Sequence, residues 1–110
     1  MKDRQNLLLE DFGEERIYYA PFDYVNPKAR LFIVGITPGE VQMNNMLVEA
    51  ARLIHQGFSD EDVLKRCKAV GSFSGPMRKN LVELMDEAGI AEFLDIKTTA
   101  QLFSDKQDLV

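Results

Sequence analysis

The pattern of apolar positions divides the chain into one strand-like segment and several helix-like segments. Residues 31–34 read Leu-Phe-Ile-Val and are followed by Gly35 and by the turn residues Thr37, Pro38 and Gly39. An unbroken apolar run bounded by turn residues is typical of a strand buried on both faces of a parallel sheet. We therefore predict a central strand, with a ligand-binding loop at its carboxyl end, where open α/β sheets hold ligands.

The loop after this strand has the composition of a tight, stiff turn. Pro38 fixes its own φ and restricts Thr37, while Gly35 and Gly39 allow backbone conformations that are closed to other residues. Such a loop lets a ligand approach the backbone closely. The alternative is a strand-to-helix turn without chemistry, since short Gly/Pro turns follow most strands.

The helix-like segments carry apolar residues at a spacing of three or four positions. Ser59 followed by Asp62 is an acidic variant of the capping box, and Pro76 suits a first helical position. The predicted helices are 44–56, 60–67, a third from Pro76 to Gly89, and a short one capped by Thr98 or Thr99.

The segment before the predicted strand offers it no obvious partner. Residues 1–15 suggest a loose arm or a short helix, and residues 17–19 are β-formers that Pro21 and Pro27 keep from a long ladder. One strand cannot form a sheet. A second strand therefore lies near Ile17 or at 108–110, or another copy supplies it, or the chain is the front part of a longer domain.

Composition is that of one soluble domain of 110 residues with a net charge of −5 and a pI near 4.8. An acidic chain repels polyanions, so binding of nucleic acid would need a local patch of positive charge.

No apolar run resembles a membrane span or a signal peptide, which predicts a cytoplasmic protein without membrane contact. Cys67 and His55 are each alone in the sequence, so we expect a buried thiol, a structural imidazole, and no metal or cofactor.

Two stretches, LFIVGITPG at 31–39 and KAVGSFSGPMRKNLVELMDEAGI at 68–90, together resemble the uracil-DNA glycosylase superfamily. Members open their sheet with an apolar strand and a Gly-x-x-Pro-Gly loop, and the thermostable branch has a later Val-Gly…Gly…Leu…Ala-Gly-Ile stretch. The resemblance covers residues 31–90. It implies an α/β fold with three layers, α/β/α, and a parallel central sheet. This chain would be a truncated single domain, 1–110, with a lead-in arm at 1–27 and a core at 28–110.

The resemblance also implies hydrolysis of an N-glycosidic bond in DNA. The family's first loop places a water against the sugar carbon, and the matching positions here are Ile36 and Thr37. Active members carry Asp, Glu or Asn there, because an anionic or amide group stabilises the developing positive charge. The candidate catalytic residues are therefore Thr37 and Glu40, the nearest carboxylate.

The second loop of the family stacks an aromatic ring on the flipped base, and Phe73 matches that role. The alternative is a ring folded back on the core. Backbone amides near Ser74, with Arg78 and Lys79, offer positive charge to a phosphate, unless those side chains are only a solvated helix face. The candidate substrate-binding residues are Gly35, Ile36, Pro38, Gly39, Phe73, Ser74 and Gly75.

Three function hypotheses follow. The first is a DNA glycosylase in its full-length form; the family's later strand and late loop have no counterpart before Val110, so this chain alone is expected to be inactive. The second is a silent member that binds a nucleotide, nucleic acid or a protein. The third is a helical interaction domain. DNA or a nucleotide is the expected partner, with self-association as a further means of completing the sheet.

Overall fold

A computed structural model describes residues 4–110 and shows a helix-rich chain. Within that range the α-helices are α1 (Glu40–His55), α2 (Asp60–Gly71), α3 (Pro76–Glu87) and α4 (Ile90–Leu94), and the strands are β1 (Leu8–Asp11) and β2 (Arg16–Tyr18). Short 3-10 helices lie at Arg4–Leu7, Thr99–Phe103 and Gln107–Leu109. None of the helices described is long and apolar enough to cross a membrane.

The predicted three-layer α/β/α fold with a parallel central sheet is wrong. Over residues 4–110 the sheet has two strands, β1 and β2, which pair antiparallel, and residues 31–34 belong to neither. The physical reason lies in the exposure of the run. Leu31 and Ile33 are half-buried, whereas Phe32 is 78% and Val34 91% exposed. The run is thus an extended segment buried along one side, not a strand covered on both faces.

Neither predicted partner strand pairs with this segment. Ile17 lies in β2, which pairs with β1. The C-terminal end does lie alongside, but as a 3-10 turn: the backbone N–H groups of Arg30 and Leu31 both donate to the Leu109 carbonyl, at 2.9 and 3.0 Å. Because both N–H groups donate to the same carbonyl, these hydrogen bonds hold the start of the segment in place but do not form a β-ladder.

Where the sequence suggested a loose arm or a short helix, the structure has a short 3-10 helix at Arg4–Leu7 that leads into the β1–β2 hairpin; residues 1–3 lie outside the described range. The turn of the hairpin uses Gly13 at φ +87°, a left-handed conformation that glycine adopts without strain. Gly13 N–H donates to a carboxylate oxygen of Asp11, which also pairs with Arg16 across the hairpin at 3.0 Å. Both pairs are exposed, so they add little to stability.

Helices α1 and α2 form an antiparallel pair around one apolar cluster, which contains Met46, Leu53, Val63 and Cys67. The predicted cap is confirmed, since the Ser59 side chain accepts a hydrogen bond from the backbone N–H of Asp62 at 3.3 Å. Both helices are longer than predicted. Helix α1 begins at Glu40 and α2 continues to Gly71.

A second apolar cluster joins α3, α4 and the C-terminal turns through Met85, Leu94 and Leu102. Leu31 and Ile33 pack against it, which anchors the extended segment to this half of the chain. Helix α3 starts at Pro76 as predicted. The predicted Thr98 cap is also confirmed, because its side chain accepts from the Ala100 N–H.

Candidate functional site

A cleft of about 620 Å³ lies between residues 22–39, the junction of α2 with α3, and the C-terminal turns. It brings together the two sequence stretches on which the site prediction depends. Of the predicted site residues, those lining the cleft are Gly35, Ile36, Thr37, Pro38, Gly39 and Phe73. The two loops, more than thirty positions apart in sequence, therefore face one space.

The first loop is held between the second apolar cluster and the start of α1. Gly39 is the N-cap of α1, with φ −73° and ψ 174°. Neither Gly35 nor Gly39 has a positive φ, so neither uses the conformational freedom that the sequence analysis noted for them. Gly39 is needed for space instead, because a Cβ there would lie 2.7 Å from Oε1 of Gln42.

Gln42 joins the two loops directly. Its side-chain amide nitrogen donates to the Ser74 carbonyl at 3.3 Å, and its side chain also lines the cleft. The first turn of α1, which continues the first loop, is thereby tied to the loop that precedes α3. Because Gly39 has no side chain, the Gln42 side chain has room to reach the Ser74 carbonyl. The glycine of the first loop therefore favours this hydrogen bond between the two loops.

The second loop holds Phe73 in an unusual backbone conformation. Its φ is +50°, in the left-handed region that a bulky residue rarely occupies, and such strain is common at binding sites. The ring meets Phe103 edge to face, with centroids 6.5 Å apart and planes at 75°. Phe73 is half-buried and lines the cleft. It therefore contacts the protein at one edge while another part of it faces the cleft.

The other residues of the second loop are placed differently. The lining drawn from residues 4–110 does not include Ser74 or Gly75. The Arg78 guanidinium donates to the carbonyls of Ala69 and Ser72 at 3.1 and 2.6 Å, closing the C-terminal end of α2, and burial lowers its pKa. Arg78 therefore stabilises a helix end, which leaves fewer of its donors for an anion than the sequence suggested.

Of the two candidate catalytic residues, Thr37 lines the cleft and Glu40 is not in the lining that the described residues form. Thr37 is exposed and lines the cleft, and its hydroxyl lies 3.5 Å from the Pro38 carbonyl oxygen. Glu40 is the first residue of α1 and is exposed, and it is not part of the lining formed by the described residues. A catalytic role for either stays a prediction.

Most of the aromatic lining and both of its cations were not predicted from the sequence. The additional aromatic residues are Phe22, Tyr24, Phe32 and Phe103, and the cations are Lys65 and Lys68. The Lys68 ammonium lies 5.6 Å from the centre of the Tyr24 ring. A signal was present in the aromatic residues between Pro21 and Pro27, and in two lysines one helical turn apart in an acidic chain.

The charged side chains that line the cleft are cationic although the chain is acidic. No Asp or Glu side chain lines it among residues 4–110, whereas Lys65 and Lys68 do. Cys67, between them in sequence, points the other way: it is fully buried, its thiol donates to the Met46 carbonyl, and burial raises its pKa. The thiol is thus a core group, as predicted. The described residues contain no group of three or more His, Cys, Asp or Glu placed to hold a metal ion.

Fold and cleft together define a helix-rich protein with a cleft lined by aromatic side chains and two lysines. The chain is similar to the uncharacterized protein YoxB of Bacillus subtilis (strain 168), with 34% identity over 113 aligned residues. The match covers 97% of this chain and 44% of YoxB, so the chain spans less than half the length of that relative. No protein-family model and no solved structure matches the chain.

Proposed function

We propose that the cleft binds the base of a nucleotide, with Phe73 as the stacking ring. The observation that carries the proposal is the convergence of the Thr37–Gly39 loop and the Phe73 loop on one aromatic cleft. Flat heteroaromatic rings are bound by stacking on aromatic side chains, and every base has a face that can stack. The resemblance of both loops to the uracil-DNA glycosylase superfamily points to the same ligand class.

The size and the lining of the cleft are those of a site that binds a small molecule. A volume of about 620 Å³ falls within the roughly 300–1,000 Å³ of small-molecule sites, which are mostly apolar with a few placed polar groups. The Asn26 amide is already used, since it donates to the carbonyls of Asp108 and Val110 and accepts from the Lys28 N–H. The polar side chains that remain in the lining include Thr37 and Gln42. They offer hydrogen bonds to the edge of a base whose faces meet aromatic rings.

Binding is favoured over hydrolysis of an N-glycosidic bond by this chain. Thr37 has neither the charge nor the amide that stabilises an oxocarbenium-like sugar, and Glu40 is not in the lining. Hydrolysis by a longer protein containing this chain is the second candidate, supported by the position of Thr37 in the same cleft as Phe73. We also propose that the protein resides in the cytoplasm.

The test is an NMR titration of the chain with UMP, CMP, AMP and GMP. We expect shifts at residues of both loops for at least one nucleotide. In Phe73→Leu, which keeps an apolar side chain but removes the ring, the affinity should fall roughly 5- to 150-fold, since stacking on a base is worth about 1–3 kcal/mol. Phe93→Leu is the matched control, because Phe93 is 66% exposed on α4 and is not a lining residue.

Two results would contradict the proposal. One is the absence of shifts at either loop with all four nucleotides. The other is an equal loss of affinity in both phenylalanine variants. Release of free base from uracil- or hypoxanthine-containing oligonucleotides, abolished in Thr37→Ala, would instead favour the hydrolase. We expect no base release by this chain.

A further inference from the structure

We propose that Lys65 and Lys68 bind the phosphate of the ligand, so that the cleft selects a mononucleotide over the corresponding nucleoside. This inference rests on the proposed function, because it assigns a second part of the same ligand. It starts from the ionisable side chains of the cleft. Over the described part of the chain, the charged side chains of the lining are these two lysines, although Asp and Glu outnumber Lys and Arg, 18 to 13, in the sequence.

The two lysines of the cleft have no acidic partner, unlike several other cations of the chain. Arg16, Arg52 and Lys79 pair with carboxylates at 3.0, 2.6 and 3.9 Å. Lys65 and Lys68 have no carboxylate within 4.0 Å among residues 4–110. An unpaired ammonium beside an apolar cleft keeps all its donors available for an anion, and a phosphate offers it several acceptor oxygens.

Helix α2 brings both lysine side chains to the lining of the cleft. Lys65 and Lys68 are three positions apart on α2, so their side chains leave the helix on one face. Lys68 is half-buried with its ammonium 5.6 Å from the Tyr24 ring centre, which restricts where the charge can go. Lys65 is exposed and is freer to follow a ligand.

The cleft combines two kinds of chemistry that come from different elements. Phe73 and Phe103 come from the second loop and the C-terminal turns, whereas the lysines come from α2. A mononucleotide combines the complementary groups, a flat base for the aromatic rings and an anionic phosphate for the lysines. The net charge of −5 disfavours a long polyanion, so the observations favour a free mononucleotide over a nucleic acid strand.

The experiment compares nucleoside and nucleotide on the wild-type chain and on lysine variants. Affinities for uridine, UMP, adenosine and AMP are measured by NMR titration at low and at high salt. We expect the better nucleotide to bind at least roughly tenfold tighter than its nucleoside, with a difference that shrinks as salt screens the charges. Lys68→Gln should remove most of that difference, and Lys65→Gln a smaller part because its side chain is more exposed.

The control variant is Lys97→Gln, which makes the same charge change at an exposed position that does not line the cleft. It should leave both affinities unchanged, and neither lysine variant of the cleft should alter nucleoside binding. Equal binding of nucleoside and nucleotide would overturn this inference and leave the proposed function standing. No binding of either would overturn both. Tighter binding of a single-stranded oligonucleotide than of any mononucleotide would overturn the assignment to a free nucleotide.

Discussion

Asp86 shows how a single carboxylate joins distant parts of the fold. It accepts hydrogen bonds from the Thr98 hydroxyl at 2.6 Å and from the Thr99 backbone N–H and hydroxyl, both at 2.7 Å. Thr99 is fully buried. The hydrogen bonds, that from the Thr98 hydroxyl first, lower the pKa of Asp86 below its usual 3.8. The turn after α4 is therefore fastened to α3 by an ionised group.

Replacing Asp86 should make the protein less stable in a pH-dependent way. Asp86→Ala removes hydrogen bonds to a charged group and should lower the free energy of unfolding by about 1–3 kcal/mol at neutral pH. Because the pKa is lowered on folding, this stabilisation is present above the unfolded value of 3.8 and is lost as pH falls through the lower folded value.

Urea unfolding of both proteins between about pH 6 and pH 2.5 measures this effect. Glu87→Ala, at the neighbouring exposed position of α3, is the control and should change stability little. A wild-type advantage over Asp86→Ala that stays constant across the pH range would contradict the electrostatic origin.

At the scale of the elements, the contact of α1 with α2 depends on a glycine. Gly71 ends α2, and a Cβ there would lie 2.4 Å from Cγ and 2.5 Å from Sδ of Met46, which is fully buried. Cγ is close to the backbone, so the methionine cannot simply swing its far end away. The second loop begins at the next residue, so this packing also sets where the Phe73 loop starts.

Gly71→Ala should therefore destabilise the protein despite the better helix propensity of alanine. We expect a loss of about 1–3 kcal/mol from overpacking, measured by urea unfolding. Met46→Ala alone should cost about 2–5 kcal/mol by leaving a cavity. The double variant should cost less than the sum, because the new methyl group enters that space. Strict additivity would show that the two residues do not compete for the same volume.

For the molecule as a whole, the extended segment at 31–34 and the residues after it expose large apolar side chains. Phe32, Val34 and Ile36 are 78%, 91% and 104% exposed. The backbone groups of residues 32–35 form no hydrogen bonds with other described residues. Residues 24–39 contain no Asp or Glu, so the negative charge of the chain does not protect this edge. An exposed apolar edge of this kind is a site for pairing with another chain.

We expect the chain to self-associate through this edge as its concentration rises. Two copies running antiparallel about Ile33 would place Phe32 beside Val34 of the other copy, and aromatic with β-branched pairs favour such contacts. Val34→Lys should shift the sedimentation behaviour toward the monomer. Val48→Lys, at a 62% exposed position of α1, is the matched control. A monomer at all concentrations, or an equal effect of both lysines, would contradict this expectation.

Much of the helical structure could be predicted because its signals are local. Ser59, Pro76 and Thr98 mark helix starts through atoms only a few residues away, and the structure confirms all three. The start of α1 was missed because Gly39 caps it without a side-chain hydrogen bond. The predicted helix therefore began only where the apolar stripe became regular.

The sequence by itself determined the helices and the two loops with unusual composition, since capping, periodicity and turn chemistry act over a few residues. Only the tertiary structure decided whether the apolar run 31–34 has strand partners, because pairing depends on residues far away in the chain. It also decided which side chains share the cleft. Gln42 reaches Ser74, and Lys68 lies beside Tyr24, through packing that no local pattern of the sequence specifies.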